Sequence, residues 1–318
     1  MFSTPPDTLT PAFSGHQTFV FRYPWLKKGV DALSRDPAVF RSPDAIVRLG
    51  VGKNMVDAIR HWTLSTGVVE EAEVAGERAR TLRVSELGRR LLANDGYDPY
   101  LEDDASLWVI HWNLTTNPAR ATTWYAVFNL LQPGEFTRES LLDGMKRFAE
   151  STGRARASES SLEADVSCFV RTYLPGRRGA TSTPEETLDC PLASLGLLTT
   201  VAGRTSDGKK RTPLYRFQNK AKPTLPAAVF AYALADFWRK RHDAQETLSL
   251  REIVHGEASP GRVFRLDEDA TLAYLDELSA LTDGNLLFAD TALVRQVARR
   301  GNVDPLALLE RYYADARA

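Results

Sequence analysis

The segment at residues 13–33, FSGHQTFVFRYPWLKKGVDAL, brings together residue types that could do chemistry on a phosphate. His16 follows a glycine, and its ordinary pKa of about 6.5 would let it act as a general base near neutral pH. Arg22 and Lys27 could stabilise a phosphate as negative charge develops on it. The segment therefore supplies two candidate catalytic residues, His16 and Arg22.

A structural interpretation of the same segment competes with the chemical one. Its aromatic residues alternate as they would in a buried strand, namely Phe13, Phe19, Phe21, Tyr23 and Trp25. That alternation would leave His16 and Thr18 on the polar face. In this interpretation His16 caps a turn by hydrogen bonding.

Two acidic runs, at residues 102–104 and 267–269, are candidates for metal chemistry. Metal-dependent nucleases gather carboxylates around Mg²⁺ or another divalent ion, which stabilises the attacking and leaving oxygens. In the first run the candidate catalytic groups are Glu102, Asp103 and Asp104. Both runs precede a predicted helix, however, and acids in a first helical turn complement the helix dipole. Capping therefore explains both runs without chemistry, and the metal site stays unassigned.

The sequence lacks the familiar nuclease and nucleotide-binding patterns. It contains no PD and ExK pairing, no HNH triplet and no tyrosine-recombinase pattern. LGVGKN at 49–54 has neither the spacing nor the Ser or Thr of a GxxxxGK phosphate loop. No nucleotide cofactor is predicted.

A helix-turn-helix followed by a hairpin is predicted from residue 43 onward. Apolar residues recur at helical spacing, and Gly50 and Gly52 interrupt them, in the order Ile46, Leu49, Val51, Met55, Ile59 and Leu64. Strands are predicted from Val68 and over 81–84, with a further helix from Ser85. This is the outline of a winged helix.

The predicted DNA contacts follow from that outline. The second helix of a helix-turn-helix places its first residues, here Lys53 and Asn54, nearest the base edges. Further contacts are expected along that helix, on the helix after Trp25, in the wing and in the basic loop at 202–212: Arg60, His61, Lys27, Lys28, Arg78, Arg80, Arg83, Lys209, Lys210 and Arg211. The alternative is a winged helix that contacts only proteins.

The rest of the pattern predicts an α+β, predominantly helical chain of tandem winged-helix-like units joined by helices. Buried tryptophans mark helices at 103–117 and 121–131. Thr137 caps the next helix, and a helix at 158–173 and strands at 197–201 and 213–217 follow. The predicted domains are 1–100, 101–222 and 223–318. The last of these would hold helices at 227–241, 248–254 and 267–281 and a strand at 285–288.

Composition fits a folded globular protein, with 43% hydrophobic and 25% charged residues. The net charge of −1 conceals a balance of +8 over residues 201–241 and −8 over 242–290. Such segregation suits one face on DNA and another on a basic partner, although solvated surface explains it as well. Cys168 and Cys190 are not spaced as metal ligands, either relative to each other or relative to a pair of histidines. Both are therefore expected to be buried thiols. No apolar stretch could span a membrane and no signal peptide is visible, so a cytoplasmic location is expected.

Five motifs together resemble a bacterial protein family whose genes accompany those of DNA phosphorothioation: SGHQTFVFRYPWLKK (14–28), LGVGKNMVDAIRHW (49–62), SELGRRLLANDGYDPYLEDDASLWVIHW (85–112), LDCPLASLGLL (188–198) and SPGRVFRLDEDATL (259–272). The resemblance covers nearly the whole chain. It implies a phage-defence system that replaces a non-bridging phosphate oxygen by sulfur on one strand.

Within such a system the resemblance implies a DNA-binding subunit that nicks the strand, with a divalent metal as a possible cofactor. The implied partners are a cysteine desulfurase, an ATPase and a sulfur-transfer enzyme. No catalytic residue is carried over by the resemblance. A non-catalytic DNA-binding adaptor, or a regulator, that positions the modification enzymes is the alternative, and a scaffold that contacts only proteins is a third.

Overall fold

The structure is a computed structural model that describes residues 10–73, 80–153, 157–175, 190–201, 212–291 and 294–317. The chain divides into two compact units, Met1–Phe217 and Gln218–Ala318. In the described ranges, helices predominate and the strands form small antiparallel sheets, which confirms the predicted α+β class. The finer division into three domains stays a prediction.

The first part of unit 1 follows the predicted order of helix, turn, helix and hairpin. Its elements are α1 (Tyr23–Arg35), α2 (Ala45–Leu49), α3 (Lys53–Ser65), β1 (Val69–Ala72), β2 (Thr81–Val84) and α4 (Glu86–Leu92). Gly50 ends α2 in the left-handed region, at φ 61°, which glycine adopts without strain. Ala45 and Leu49 of α2 form a buried cluster with Val56 of α3. Packing of these apolar faces fixes the angle between the two helices.

Two buried helices follow, α5 (Asp104–Thr115) and α6 (Thr122–Tyr125), and α6 continues as a π-helix over Ala126–Leu131. Trp108, Trp112 and Trp124 are at most 1% exposed, as their predicted role in the core requires. The predicted helix at 121–131 is therefore present, but its second half is wound more loosely than an α-helix.

The last part of unit 1 holds β3 (Glu135–Phe136), α7 (Arg138–Ser151), α8 (Glu159–Tyr173), a 3₁₀ turn (Pro191–Leu195), β4 (Leu198–Val201) and β5 (Leu214–Phe217). Thr137 caps α7, as predicted, by accepting from the Ser140 N–H. β5 lies between β3 and β4, so the sheet order is β3-β5-β4. The two predicted strands are confirmed, whereas the two-residue β3 carried no sequence signal.

Unit 2 contains α9 (Ala227–Arg241), β6 (Thr247–Ser249), α10 (Leu250–His255), α11 (Pro260–Val263), α12 (Glu268–Leu281), β7 (Leu286–Asp290), β8 (Arg295–Arg299) and α13 (Pro305–Asp315). The predicted helix at 227–241 matches α9 over its whole length. The sheet order is β6-β8-β7, so the last strand in sequence lies in the middle. The three-stranded sheet of unit 1, β3-β5-β4, has the same arrangement. Each sheet is entered by one strand, followed by helices, and completed by a hairpin.

None of the helices in the described residues combines the length and the apolar composition needed to cross a membrane.

Candidate functional site

The N-terminus of α3 lies at the surface. Lys53 and Asn54 occupy its first turn and are exposed, and the N-cap, Gly52, offers no side-chain acceptor for the first N–H groups of the helix. Backbone N–H groups at such a terminus, together with the helix dipole, favour a bound anion. The sequence prediction for these two residues is thus compatible with their position.

Lys53, Asp57 and Arg60 share one face of α3, because their spacing of four and three residues follows the helical turn. The side chains of Lys53 and Arg60 form no ion pair and no hydrogen bond with any other residue that the structure describes. Both cations can therefore reach an external partner without breaking an internal contact.

The two lysines of α1 are engaged within the fold. Lys27 is 7% exposed, and its Nζ donates to both carboxylate oxygens of Asp31, at 2.5 and 2.6 Å, and to Asn94 Oδ1 at 2.7 Å. Nζ of Lys28 donates to the carbonyl of Leu49 at 2.8 Å, where it complements the C-terminal end of α2. Lys27 is thus committed to the core and Lys28 to holding α2.

Acidic residues on the neighbouring strand pair with the arginines of the predicted wing. Arg83 lies directly opposite Glu70 across the hairpin and its Nε donates to Glu70 Oε1 at 2.7 Å. Arg80 lies 3.3 Å from Glu71. In the described part of the hairpin three acids, Glu70, Glu71 and Glu73, face two arginines, so this part carries no net positive charge. Of the other predicted wing contacts, Arg78 and Lys209–Arg211 lie outside the described residues.

The GHQTF segment at 15–19 forms a tight turn, so the predicted buried strand is wrong. Ser14, Gln17 and Thr18 have φ values of 61°, 50° and 67°, a left-handed conformation that costs free energy for residues other than glycine. His16 points inward and is 1% exposed. The turn carries His16 to the interior, whereas strand alternation would have left it on the polar face.

Asp165 of α8 anchors this turn. Its Oδ1 accepts from the Ser14 N–H at 2.7 Å and lies 2.8 Å from His16 Nε2, and its Oδ2 accepts from Thr123 Oγ1 at 2.6 Å. Asp165 is itself 2% exposed. A buried carboxylate needs such donors, because an unpaired charge in the core is strongly destabilising.

The protonation of His16 follows from its two nitrogens. Burial, the largest influence, lowers the pKa of His16, whereas Cys168 and the Asp165 carboxylate raise it. Protonation of the ring would place a hydrogen on Nδ1, yet Nδ1 already accepts the Thr18 N–H at 3.0 Å. The hydrogen-bond geometry therefore favours the neutral ring with its hydrogen on Nε2. Both nitrogens hold the turn in place, and neither faces a substrate.

His61 lies against the turn and not toward solvent. A Cβ added to Gly15 would overlap its Nδ1, and Nε2 lies 3.4 Å from Ser65 Oγ. Burial, the largest influence, and the nearby positive charges of Arg120 and Arg60 lower the pKa of His61 below its ordinary value. His61 is therefore uncharged at neutral pH, and its predicted contact with DNA would lack an ionic component.

The acidic runs act as helix caps. Asp103 accepts from the Ala105 N–H at 2.8 Å at the start of α5, and Asp267 accepts from the Ala270 N–H at 2.8 Å at the start of α12. Glu102 and Asp104 are exposed beside the first cap. The capping interpretation is confirmed for Asp103 and Asp267. Arg22, the other catalytic candidate, places its guanidinium 5.1 Å from the Trp25 ring.

No group of three or more His, Cys, Asp or Glu side chains suited to a metal ion occurs in the part of the chain that the structure describes. The candidate carboxylates at 102–104 do not converge on a common point beyond the cap. The described residues thus do not form a protein-enclosed Mg²⁺ site, and we assign no chemical step to a metal.

Asp165 and Thr123 were not identified from the sequence. Asp165 lies between Leu162 and Phe169 on the apolar stripe of α8, and a carboxylate in such a stripe is a signal that it has buried partners. The identity of those partners was not accessible, since His16 is 149 residues away in the sequence.

Buried cationic side chains also occur in unit 2, among them Lys222. Lys222 is 4% exposed, and its Nζ donates to the Gln218 carbonyl. Burial first, and then the charges of Lys220 and Arg265, lower its pKa to about 8.

Known proteins resemble this chain over nearly its full length. The family described as "Protein of unknown function (DUF4007)" matches residues 13–313. A magnesium ion-bound SspB crystal structure matches with a TM-score of 0.84 and 30% identity, over 96% of this chain and 89% of that chain. A second SspB crystal structure matches with a TM-score of 0.82, the same identity and the same coverage. No curated protein matches.

Proposed function

The chain belongs to the DUF4007 family and is similar to SspB along almost all of its length, and from this premise we propose that it is the DNA-binding subunit of a bacterial phosphorothioation system. The family predicted from the five sequence motifs is the family found.

The observation that carries the proposal is the exposed start of α3. Lys53 and Asn54 occupy the first turn of a helix that follows a tight turn, and the Lys53 and Arg60 side chains are free of described partners. This is the arrangement in which a recognition helix presents its first residues to the major groove. We therefore take α2 and α3 as the helix-turn-helix and the β1–β2 hairpin as its wing.

Topology extends the proposal to the rest of the chain. The sheets of residues 135–217 and of unit 2 share the first, third, second strand order, with helices between the first strand and the hairpin. That order supports two more winged-helix-like modules, each able to present a helix or a hairpin tip. Tandem modules would let one subunit follow several turns of a duplex.

In the proposed system this subunit binds the DNA substrate, and its partner proteins carry out the sulfur chemistry. A cysteine desulfurase, an ATPase and a sulfur-transfer enzyme would mobilise and deliver sulfur, while Lys53 and Arg60 hold the duplex. The proposed role of the described residues is binding and orientation. A cytoplasmic location is proposed with it, because the substrate and partners are there.

Strand nicking is the second candidate activity. The observation that favours it is the magnesium ion in the similar SspB structure, since nucleases use Mg²⁺ on phosphodiesters. No carboxylate cluster of the described residues corresponds to such a site, so the nicking residues are left open. A nick would relieve local constraint at the phosphate to be modified.

A salt titration tests the binding proposal. We expect duplex affinity to fall steeply with salt, and Lys53→Glu and Arg60→Glu each to reduce the steepness by about one unit of the log–log slope. Arg251→Glu makes the same charge change at an exposed position of α10 and should have a smaller effect. Salt-insensitive binding, or none, would favour a scaffold that contacts only proteins.

A plasmid assay separates nicking from an adaptor role. Supercoiled plasmid should relax to open circles when purified protein and Mg²⁺ or Mn²⁺ are present, and EDTA should abolish relaxation. Protein that binds the plasmid and leaves it supercoiled over a series of divalent metals is an adaptor. Asp103→Ala and Asp104→Ala test whether the acidic run at 102–104 takes part in nicking. If nicking is unchanged in both variants, Asp103 has only its helix-capping role.

A further inference from the structure

A cleft of about 530 Å³ opens in unit 1, among the start of α7, the end of α8 and the β4–β5 hairpin. Two arginines from different helices line it, Arg138 of α7 and Arg171 of α8, and one acid, Glu139, lies beside them. Thr200 and Thr212 add hydroxyl groups. The cleft opens to solvent and is large enough for a nucleotide-sized group.

The two arginines are available in different ways. Arg138 is the first residue of α7 and exposed, and its side chain contacts no described acceptor. Arg171 donates through Nη2 to the Thr18 carbonyl, which fixes its guanidinium at the cleft while leaving other N–H groups for a ligand. Hydrogen bonds from a backbone N–H and from Thr137 hold the carboxylate of Glu139 at the start of α7 and lower its pKa, so it stays charged, and the two arginines outnumber this one acid.

The Thr18 contact connects the cleft with the GHQTF turn. One face of α8 holds the turn through three residues spaced three apart: Asp165 binds Ser14 and His16, the Cys168 thiol donates to the Phe19 carbonyl at 3.5 Å, and Arg171 binds Thr18. Gln17 and Thr18 of this turn have strained left-handed φ values, and the Thr18 carbonyl accepts from Arg171. The turn is thus a rigid support for one wall of a cationic cleft.

We propose that this cleft binds phosphodiester groups of a DNA strand, as a contact separate from the start of α3. The proposal rests on the DNA-binding function proposed above. Arginine forks match phosphate oxygens with paired hydrogen bonds, and two of them from different helices can bind one or two successive phosphates. The N-terminal dipole of the 14-residue helix α7 adds to the same attraction. The hydroxyl groups of Thr200 and Thr212 line the cleft, and the ring of Tyr215, an aromatic residue in its lining, is only 5% exposed, so the cleft should read the backbone and not the bases.

Fluorescence anisotropy with a labelled 20-nucleotide strand and the matching duplex tests this proposal. At 0.1 M salt we expect Arg138→Gln and Arg171→Gln each to weaken binding of the single strand about fivefold, the loss of one phosphate contact with a log–log slope near 0.7. The double variant should lose less than the product of the two, because both side chains act on the same phosphates. Arg35→Gln removes the same charge from an exposed position outside the cleft and serves as the control.

The outcomes distinguish the two proposals. If Lys53→Glu weakens binding while both cleft variants bind like the wild type, the cleft proposal is overturned and the DNA-binding function stands. If the wild-type protein binds neither the single strand nor the duplex, the cleft proposal and the DNA-binding proposal both fail. Thymidine monophosphate is added as a competitor at concentrations near its own dissociation constant for the cleft. If it displaces the strand there, and if Arg138→Gln abolishes binding of both the strand and the mononucleotide, the cleft is a free-nucleotide site and the strand proposal is overturned. Should Arg171→Gln lower the melting temperature, Arg138→Gln, at an exposed helix start, decides alone.

Discussion

Gly15 and His61 lie so close together that only a residue without a side chain fits at position 15. A Cβ built there would overlap Nδ1 of His61 and lie 3.0 Å from Cε1. The glycine of the GHQTF motif therefore serves close packing. It allows the turn to lie on α3, while the neighbouring His16 turns inward to Asp165.

Gly15→Ala should lower the free energy of unfolding by about 1–3 kcal/mol, because overpacking displaces the imidazole or the turn. Urea denaturation measures the change. Gly134→Ala, where a Cβ would meet nothing within 4 Å, is the matched control and should be nearly neutral. Removing the obstruction with His61→Ala should restore part of the loss in the Gly15→Ala background. A Gly15→Ala protein as stable as the wild type would contradict the packing role.

Asp165→Asn should cost about 3 kcal/mol of unfolding free energy, since the amide replaces one acceptor oxygen and leaves buried donors unsatisfied. Ser14, His16 and Thr123 would all lose or share an acceptor. Glu163→Gln, an exposed change on the same helix, should shift stability by less than about 0.5 kcal/mol. Equal stability of the two variants would show that the anchor contributes nothing.

The Asp165 network shows where sequence reasoning stops. Residue spacing and glycine positions define α3, because they act over a few neighbouring residues. Asp165 and His16 meet only in the folded chain, so neither their pairing nor the inward direction of His16 follows from local pattern. Alternation of aromatic residues predicted a strand at 13–25, but the contact with α8 imposes a turn there. Similarly, β6, β8 and α13 depend on pairing and packing within unit 2 and left weak local signals.

Lys222 should make stability depend on alkaline pH. Its folded pKa of about 8 is below the ordinary value of 10.5, so between these pH values the unfolded chain holds a proton that the folded chain has released. The contribution of Lys222 to the free energy of unfolding therefore rises with pH from about 8 to 10.5, and the charged form is destabilising below that window. In Lys222→Met this rise should be absent. Lys53→Met, an exposed control, should retain it, and identical pH profiles for wild type and Lys222→Met would refute the assignment.

Glu70→Gln should tighten duplex binding if the hairpin faces DNA as proposed. The substitution removes the acid opposite Arg83 and frees the guanidinium for a phosphate, a gain of up to about eightfold at 0.1 M salt. The control Glu163→Gln changes the net charge equally on α8. If both variants gain alike, the effect is general charge and the hairpin has no special place in binding.

The 149 residues between His16 and Asp165 have a consequence for biosynthesis. At ribosomal speeds of about 5–20 residues per second, the N-terminal helices wait roughly 7–30 s before α8 leaves the exit tunnel. Trp62, whose ring centroid lies 5.2 Å from that of Trp124, lacks its partner for part of that time. The nascent segment from α1 to α3 therefore emerges with an apolar face uncovered, and chaperone contact in this interval would protect it until the later helices cover that face.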